Sequence, residues 1–190
     1  GVSAQKAEFK LVNQFTDKHQ MIPFTNYAIA FPDSTYEMLE VEKGGFTYQS
    51  LNHPVKFSIL PNESSVFEWM DMFEEQEEDI AFEEIYNSIK QKTSISSGNQ
   101  TGLFLIVDNY IQSSGDTINN EKNINLLLLI GDSINSFIVT TVLSPDEYLE
   151  FGNSVIDAFQ SIMYQTDTLD NTMDDFPFNF SECNKSMQFS

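Results

Sequence analysis

Few residues in this chain are of types suited to chemistry, and their spacing decides how far each can be taken. There are two histidines, His19 and His53, a single cysteine, Cys183, and 29 aspartates and glutamates. The histidines lie far apart, each in a turn-like polar stretch, and their spacing matches no zinc arrangement. A metal shared between them would need carboxylate partners brought in by the fold. Cys183 sits between Glu182 and Lys185 in a polar stretch, without the histidine or electropositive setting that activates a thiol. Asp167, Asp170, Asp174 and Asp175 resemble a calcium-binding cluster. They lack the glycine at the sixth position of an EF-hand loop, so only weak, non-specific calcium binding is expected. The run Glu74 to Asp79 reads as a solvated helix face.

The motifs of covalent and nucleotide chemistry are missing from the sequence. There is no G-x-S-x-G elbow, and Gly131-Asp132-Ser133 reads as a hairpin turn. No P-loop and no G-x-G-x-x-G occurs. Carboxylate pairs of the glycosidase kind leave no sequence spacing, because the fold alone assembles them. No catalytic, cofactor-binding or metal-binding residue is therefore assigned. Trp69 and Met70 are read as core rather than as a ligand platform. Asn62, Asn99 and Asn179 begin N-x-S/T triplets, to which no role is given.

Charge narrows the partners. The 190 residues carry a net charge of −20, and all nine basic residues are lysines. Arginine is the usual bidentate clamp for phosphate and the usual reader of guanine. A strongly acidic chain without it is repelled by nucleic acid and by anionic headgroups, so nucleic acid is excluded as a partner. The 41% hydrophobic content, with 17 Phe and 7 Tyr, supports one sizeable core. No apolar run approaches the ~18 residues of a membrane helix. The chain begins at Gly1 without an initiating Met and is read as a piece of a longer protein, with any leader or lipid anchor upstream. With one cysteine, no disulfide forms within the chain.

The elements that must position any site follow from periodicity. Asn26 to Phe31, Phe46 to Leu51 and Val55 to Leu60 alternate as strands. Ser34 to Lys43 is ambiguous, and Pro61 is expected to stop the third of these strands. Ser65 and Glu68 form a capping box for a helix running to about Gln91, with Val66, Trp69, Met70 and Phe73 on one face. The stripe falters at Glu74 to Asp79 and resumes at Ile80, Ala81, Ile85, Tyr86 and Ile89, so either the helix bends there or two helices abut. Thr93 to Ser97 is a short strand, Gly98 to Gly102 a turn, Leu103 to Ile111 an apolar strand and Ser113 to Asn123 a polar loop. Ile124 to Ile130 and Phe137 to Leu143 make a buried hairpin. Ser144-Pro145-Asp146-Glu147 then starts a helix with both cap and N1 proline. Its buried stripe is Tyr148, Leu149, Gly152, Val155, Ile156, Phe159, Ile162 and Met163. Three neighbouring antiparallel strands, Leu103 to Ile111 with the two of the hairpin, are expected from the short connections.

Two stretches carry a family resemblance. One is Ser96-Ser97-Gly98-Asn99-Gln100-Thr101-Gly102 leading into Leu103 to Val107. The other is Gly131 to Tyr164, with its glycine turn, its Val-Thr-Thr-Val strand, Ser-Pro-Asp-Glu and Ser154 to Phe159. Together they resemble the PsbP-like fold, and within it the bacterial DcrB-like envelope proteins, over about residues 24 to 165. The resemblance implies an α+β fold in which an antiparallel β-sheet is flanked by helices, an α/β/α sandwich. It also implies a non-enzymatic role, since members of known function are extrinsic photosystem subunits or partners of a small GTPase. Plant-type members dock through basic residues, which this chain largely lacks. The expected organisation is a lead-in over 1–23, one domain over 24–165 and an acidic tail over 166–190. The expected function is a non-enzymatic envelope protein, periplasmic or otherwise extracytoplasmic. It binds a partner protein or small ligand and has no cofactor; a carboxylate-based hydrolase is the alternative. The partner's identity and the oligomeric state stay open.

Overall fold

The computed structural model describes residues 8–40, 44–78, 86–112 and 120–165. Along the chain run β1 (Gln20–Met21), β2 (Tyr27–Ile29), β3 (Tyr36–Glu40), β4 (Phe46–Ser50), β5 (Lys56–Asn62) and α1 (Val66–Glu78). They are followed by β6 (Tyr86–Ser97), β7 (Gln100–Gln112), β8 (Asn120–Gly131), β9 (Ser136–Leu143), α2 (Pro145–Gln160) and β10 (Met163–Tyr164). Seven strands form one sheet in the order β3-β4-β5-β9-β8-β7-β6, and β1-β2-β10 form a small second sheet. Every pairing in both sheets is antiparallel. The expected trio is present as β7-β8-β9, with Leu103 opposite Leu129 and Leu129 opposite Ile138.

The middle of the sheet is covered on both faces because residues 103–107 of β7 and 126–130 of β8 are apolar at every position. Alternation sends Leu126, Leu128 and Ile130 of β8 toward α2, where they pack with Val155, Ile156 and Phe159. Leu127 and Leu129 point the other way, against Trp69, Met70 and Phe73 of α1. Helices thus lie on both faces, which makes the α/β/α sandwich. Four phenylalanines, Phe57, Phe104, Phe137 and Phe159, are completely buried on the α2 side.

Both helix starts are fixed by their caps. The Ser144 hydroxyl accepts from the Glu147 amide at 3.1 Å, and Glu147 Oε1 accepts from the Ser144 amide at 2.9 Å, a reciprocal capping box. At α1 the Ser65 hydroxyl accepts from the Phe67 amide at 3.1 Å. The Val66 amide donates to the Asp132 carbonyl in the β8–β9 turn at 2.9 Å, so α1 is anchored to the end of the sheet.

Several local expectations are corrected. Residues 86–91 are strand, not helix; α1 is described over Val66–Glu78, and residues 79–85 lie outside the described residues. The alternation of β6 is hidden by register shifts between Tyr86 and Ser88 and between Ile89 and Gln91, since each bulge flips the side-chain phase. Pro61 does not stop β5; it pairs with Phe137. The β4 pairing ends at Ile59, so beyond it one edge of β5 is open and a missing amide is tolerated there. Asn120 to Asn123 belong to β8 rather than to a loop. Gly102 lies inside β7, not in a turn. On α2, Leu149 is 65% exposed, at the margin of the stripe about 100° from Tyr148. Met163 lies beyond the helix, in β10.

The segment before β2 is built into the fold. Phe9 stacks on Phe104 with ring centroids 4.0 Å apart, and Ile22 is buried. The Lys10 amide donates to Gln160 Oε1 at 3.0 Å, and the Val12 amide to the Gln160 carbonyl at 2.9 Å. These bonds tie the segment to the last turn of α2.

Candidate functional site

A cavity of about 700 Å³ opens at the end of the large sheet where β5 finishes, β4 begins and the β8–β9 turn lies. That volume is in the range of small-ligand sites. Its walls come from four separate connections, and each is shaped by its own turn chemistry. In the β8–β9 turn the Asp132 amide donates to the Asn135 carbonyl at 2.9 Å. Asp132 Oδ1 accepts from the Ile134 and Asn135 amides, both at 2.9 Å, an Asx turn that fixes the carboxylate at the cavity wall.

The opposite wall is the β1–β2 turn. The Thr25 amide donates to the Ile22 carbonyl at 3.1 Å, closing a four-residue turn, Ile22-Pro23-Phe24-Thr25. Proline at the second position and a positive φ at the third are the type II pattern. That third position belongs to glycine, yet it holds Phe24 at φ 63°. The Phe24 side chain is 97% exposed and lines the cavity. The Thr25 hydroxyl holds the turn, donating to the Ile22 carbonyl at 2.8 Å and accepting from the Tyr27 amide at 3.1 Å.

Between these walls lie aromatic rings. Tyr27 stacks on Phe137 at 4.6 Å and meets Tyr164 edge-on at 5.2 Å, and all three line the cavity. The Tyr27 hydroxyl donates to Gln100 Oε1. Its pKa is driven up by burial first, then by the charge of Asp132 and the neighbouring Tyr164. Ser136, 2% exposed, also lines the cavity, and its hydroxyl has no hydrogen-bond partner. The carboxylates of Asp132 and Glu63 are on the lining, which has no lysine or histidine among its described residues.

A second polar cluster sits at the other end of the sheet. Asp108 interrupts the apolar run of β7 and is buried at 3% exposure. Its Oδ2 takes two ammonium groups, Lys122 at 3.1 Å and Lys90 at 3.4 Å. Asp108 Oδ1 is buried without a hydrogen-bond partner. The Tyr148 hydroxyl at the start of α2 is pushed up by burial and then by Asp108. Each lysine is about half exposed, so the pairing compensates a buried charge and leaves the ammoniums in reach of water.

The structure separates the candidates the sequence offered. His19 Nδ1 accepts from the Thr16 amide at 3.0 Å, which places the ring proton on Nε2, donating to the Ser161 carbonyl at 2.7 Å. His53 pairs instead with Asp33 at 3.3 Å and lies against Phe151. The Asp33 carboxyl is held below its usual range, first by the Thr35 hydroxyl and amide and then by His53. The two histidines serve different joints of the fold, and no group of three metal-ligating side chains gathers among the described residues. Trp69 and Met70 pack on the sheet under α1. Ser133 is in the β8–β9 turn, Asn62 lines the cavity and Asn99 is in the β6–β7 turn. Glu74 to Glu78 lie in α1. Asp79, Cys183, Asn179 and the four tail aspartates lie outside the described residues.

The cavity itself was not anticipated. Its lining is scattered over four connections, and the one local signal was a phenylalanine set among turn residues, Pro23-Phe24-Thr25-Asn26. Asp108 did leave a signal, a lone charge inside Leu103 to Val107 and Ile111.

No family model matches the chain, and no curated protein matches it. Solved structures do. A protein from Bacteroides thetaiotaomicron superimposes with TM-score 0.52 at 10% identity, over 80% of this chain and 49% of that one. This chain therefore spans about half the length of that protein. The solution structure of cyanobacterial PsbP (CyanoP) from Synechocystis sp. superimposes with TM-score 0.51 at 11% identity, over 77% of this chain and 91% of that one. A Pseudomonas aeruginosa protein of unknown function also matches, at TM-score 0.45, too low to argue from. The likeness to CyanoP and the shared sandwich show that this chain has a PsbP-like α+β fold.

Proposed function

We propose that this protein is a non-enzymatic envelope protein that binds a ligand, or a side chain of a partner protein, in the cavity at the sheet end. The observation that carries the reading is Phe24. A bulky residue in the left-handed region costs about 1–2 kcal/mol, and Phe24 gains no packing in return because its ring is in water. An apolar ring held open beside a preformed, aromatic cavity is the arrangement of a binding mouth. The envelope location is supported by the resemblance to bacterial envelope proteins of this fold. No helix among the described residues is long and apolar enough to cross a membrane. Fractionation of cells expressing the full-length protein tests that location.

Two carboxylates on one cavity, Glu63 and Asp132, are also what a hydrolase requires. Asp132 Oδ1 is engaged by two turn amides, and Glu63 is exposed, so both carboxylates serve the cavity better as negative charge than as an acid–base pair. The test is a small-compound screen by amide NMR with a parallel panel of glycoside and ester substrates. Shifts confined to cavity residues and blocked by Asn62→Trp support the binding reading. Shifts scattered elsewhere, or turnover lost in Glu63→Gln, overturn it.

A further inference from the structure

We propose that the cavity takes an organic cation, an ammonium or guanidinium head on a short apolar stem, and that Phe24 closes over it. This inference rests on the cavity being the binding site, and it adds the chemical class of what binds.

Charge is the first argument. Among the described residues lining the cavity, the ionisable side chains of full charge are the carboxylates of Glu63 and Asp132. The chain as a whole carries −20. An anionic ligand would meet repulsion at long range and again at the wall, whereas a cation is drawn in by both. Asp132 is held in place by its turn, so its charge needs no reorganisation when a ligand arrives.

The second argument is the aromatic surface. Phe24 is exposed on the lining and Phe46 and Tyr164 are half-buried there, with Tyr27 and Phe137 buried behind them. Aromatic faces attract ammonium and guanidinium groups through the ring quadrupole, and do so more strongly when the cation is desolvated. The same surface takes the apolar stem by ordinary burial. Rings and carboxylates together therefore match both parts of such a ligand.

The third argument concerns a residue whose backbone strain the fold leaves uncompensated. Phe24 stands in a position made for glycine, and nothing inside the fold compensates it. A bound cation beneath the ring would.

The experiment compares n-butylammonium and n-butylguanidinium with the neutral isostere 1-butanol and the anion butyrate, read by amide chemical shifts of the whole protein at low salt. The expected result is saturable shifts at cavity residues for both cations, at least tenfold tighter than for butanol, with no binding of butyrate. Phe24→Gly should weaken the cations about tenfold while leaving the melting temperature equal or higher, because glycine relieves the turn. Glu63→Gln should weaken them as well. Glu150→Gln, the same charge change on exposed α2, should not, and this separates the site from general attraction to an acidic surface. A lysine-containing neutral peptide run beside its acetyl-lysine counterpart identifies the source of the head group. Binding of the lysine form alone supports the proposal with a partner's side chain as ligand. Binding of free amines but not of the peptide supports it with a small molecule. Butanol equal to butylammonium at the cavity would overturn the cation while leaving the cavity as a binding site. Equal weakening in Glu150→Gln, or full affinity in Phe24→Gly, would overturn the proposal.

Discussion

Gly98 and Gly102 lie four residues apart, yet an alanine should act at each through a different cause and by a different amount. Gly98 is the first residue of the two-residue β6–β7 turn, at φ 61°, and a Cβ built there meets nothing within 4 Å. Gly98→Ala therefore bears only the left-handed backbone penalty, about 1–2 kcal/mol. Gly102 is inside β7, opposite Ile95 on one side and Ile130 on the other. Its Cβ would stand 2.0 Å from the Leu129 carbonyl oxygen and 2.9 Å from Ile130 Cα, where ordinary contact begins near 3.4 Å. The obstacles are backbone atoms of a neighbouring strand, so no rotamer change relieves them. Overpacking in a well-packed core typically costs 1–3 kcal/mol. With a strand bonded on each side, Gly102→Ala should reach the top of that range or pass it, at about 3 kcal/mol or more. For a chain of this size each kcal/mol shifts the melting temperature by roughly 2–4 °C. Gly102→Ala should therefore melt roughly 6 °C or more below the parent. The assay is urea unfolding followed by far-UV circular dichroism and by the fluorescence of Trp69, with unchanged slope as the check on two-state behaviour. If the two variants come out within about 0.5 kcal/mol of each other, as surface changes do, the close approach of β7 to β8 is wrong as described.

The other predictions address the core, alkaline pH and salt. Phe159 is completely buried with the rings of Phe57 and Phe104 at 5.9 and 6.0 Å, so Phe159→Ala should lower the unfolding free energy by about 3–5 kcal/mol; a loss under 1 kcal/mol would show that α2 is not seated on the sheet. Burial, followed by Asp33, pushes the Tyr36 hydroxyl up to about 12, and Tyr27 is raised further, again chiefly by burial. The unfolded chain ionises tyrosine near 10, so this stability is fully present below about pH 10 and is lost as pH rises through the folded values. A melt recorded between about pH 9 and 12 with phenolate absorbance should show the decline, and a flat profile would contradict the burial of these rings. Raising sodium chloride from low to moderate concentration should raise the melting temperature, because 29 carboxylates face nine lysines and screening weakens their mutual repulsion; a fall would mean that attractive pairs dominate.

The parts of the fold legible in the sequence are those where local signals agree. β7, β8 and β9 carry long apolar runs, β8 and β9 are joined by a short turn, and α2 carries a reciprocal cap followed by an apolar stripe. Each choice points to the same structure, so register and orientation follow. β6 is not legible because two bulges break its alternation, and because a largely polar edge strand carries little hydrophobic signal. The run of β5 past Pro61 was missed because its tolerance depends on a neighbour ending two residues earlier, which only tertiary structure shows. The cavity was invisible for the same reason, since four connections from distant parts of the sequence meet there.

Two residues break a local rule, and the way each is compensated separates structure from function. Asp108 puts a charge inside an apolar strand, but the fold answers it with Lys90 and Lys122 at 3.4 and 3.1 Å. The charge is balanced within the chain through Oδ2, while Oδ1 is buried without a hydrogen-bond partner. Phe24 puts a bulky ring where a turn wants glycine, and the fold gives it no contact: it is 97% exposed. Backbone strain that packing does not offset, in a residue that lines a cavity, is the observation behind the proposed ligand site. That difference is why the proposed ligand site is placed at the cavity end of the sheet, while the ion pairs of Asp108 join β6, β7 and β8 at the other end.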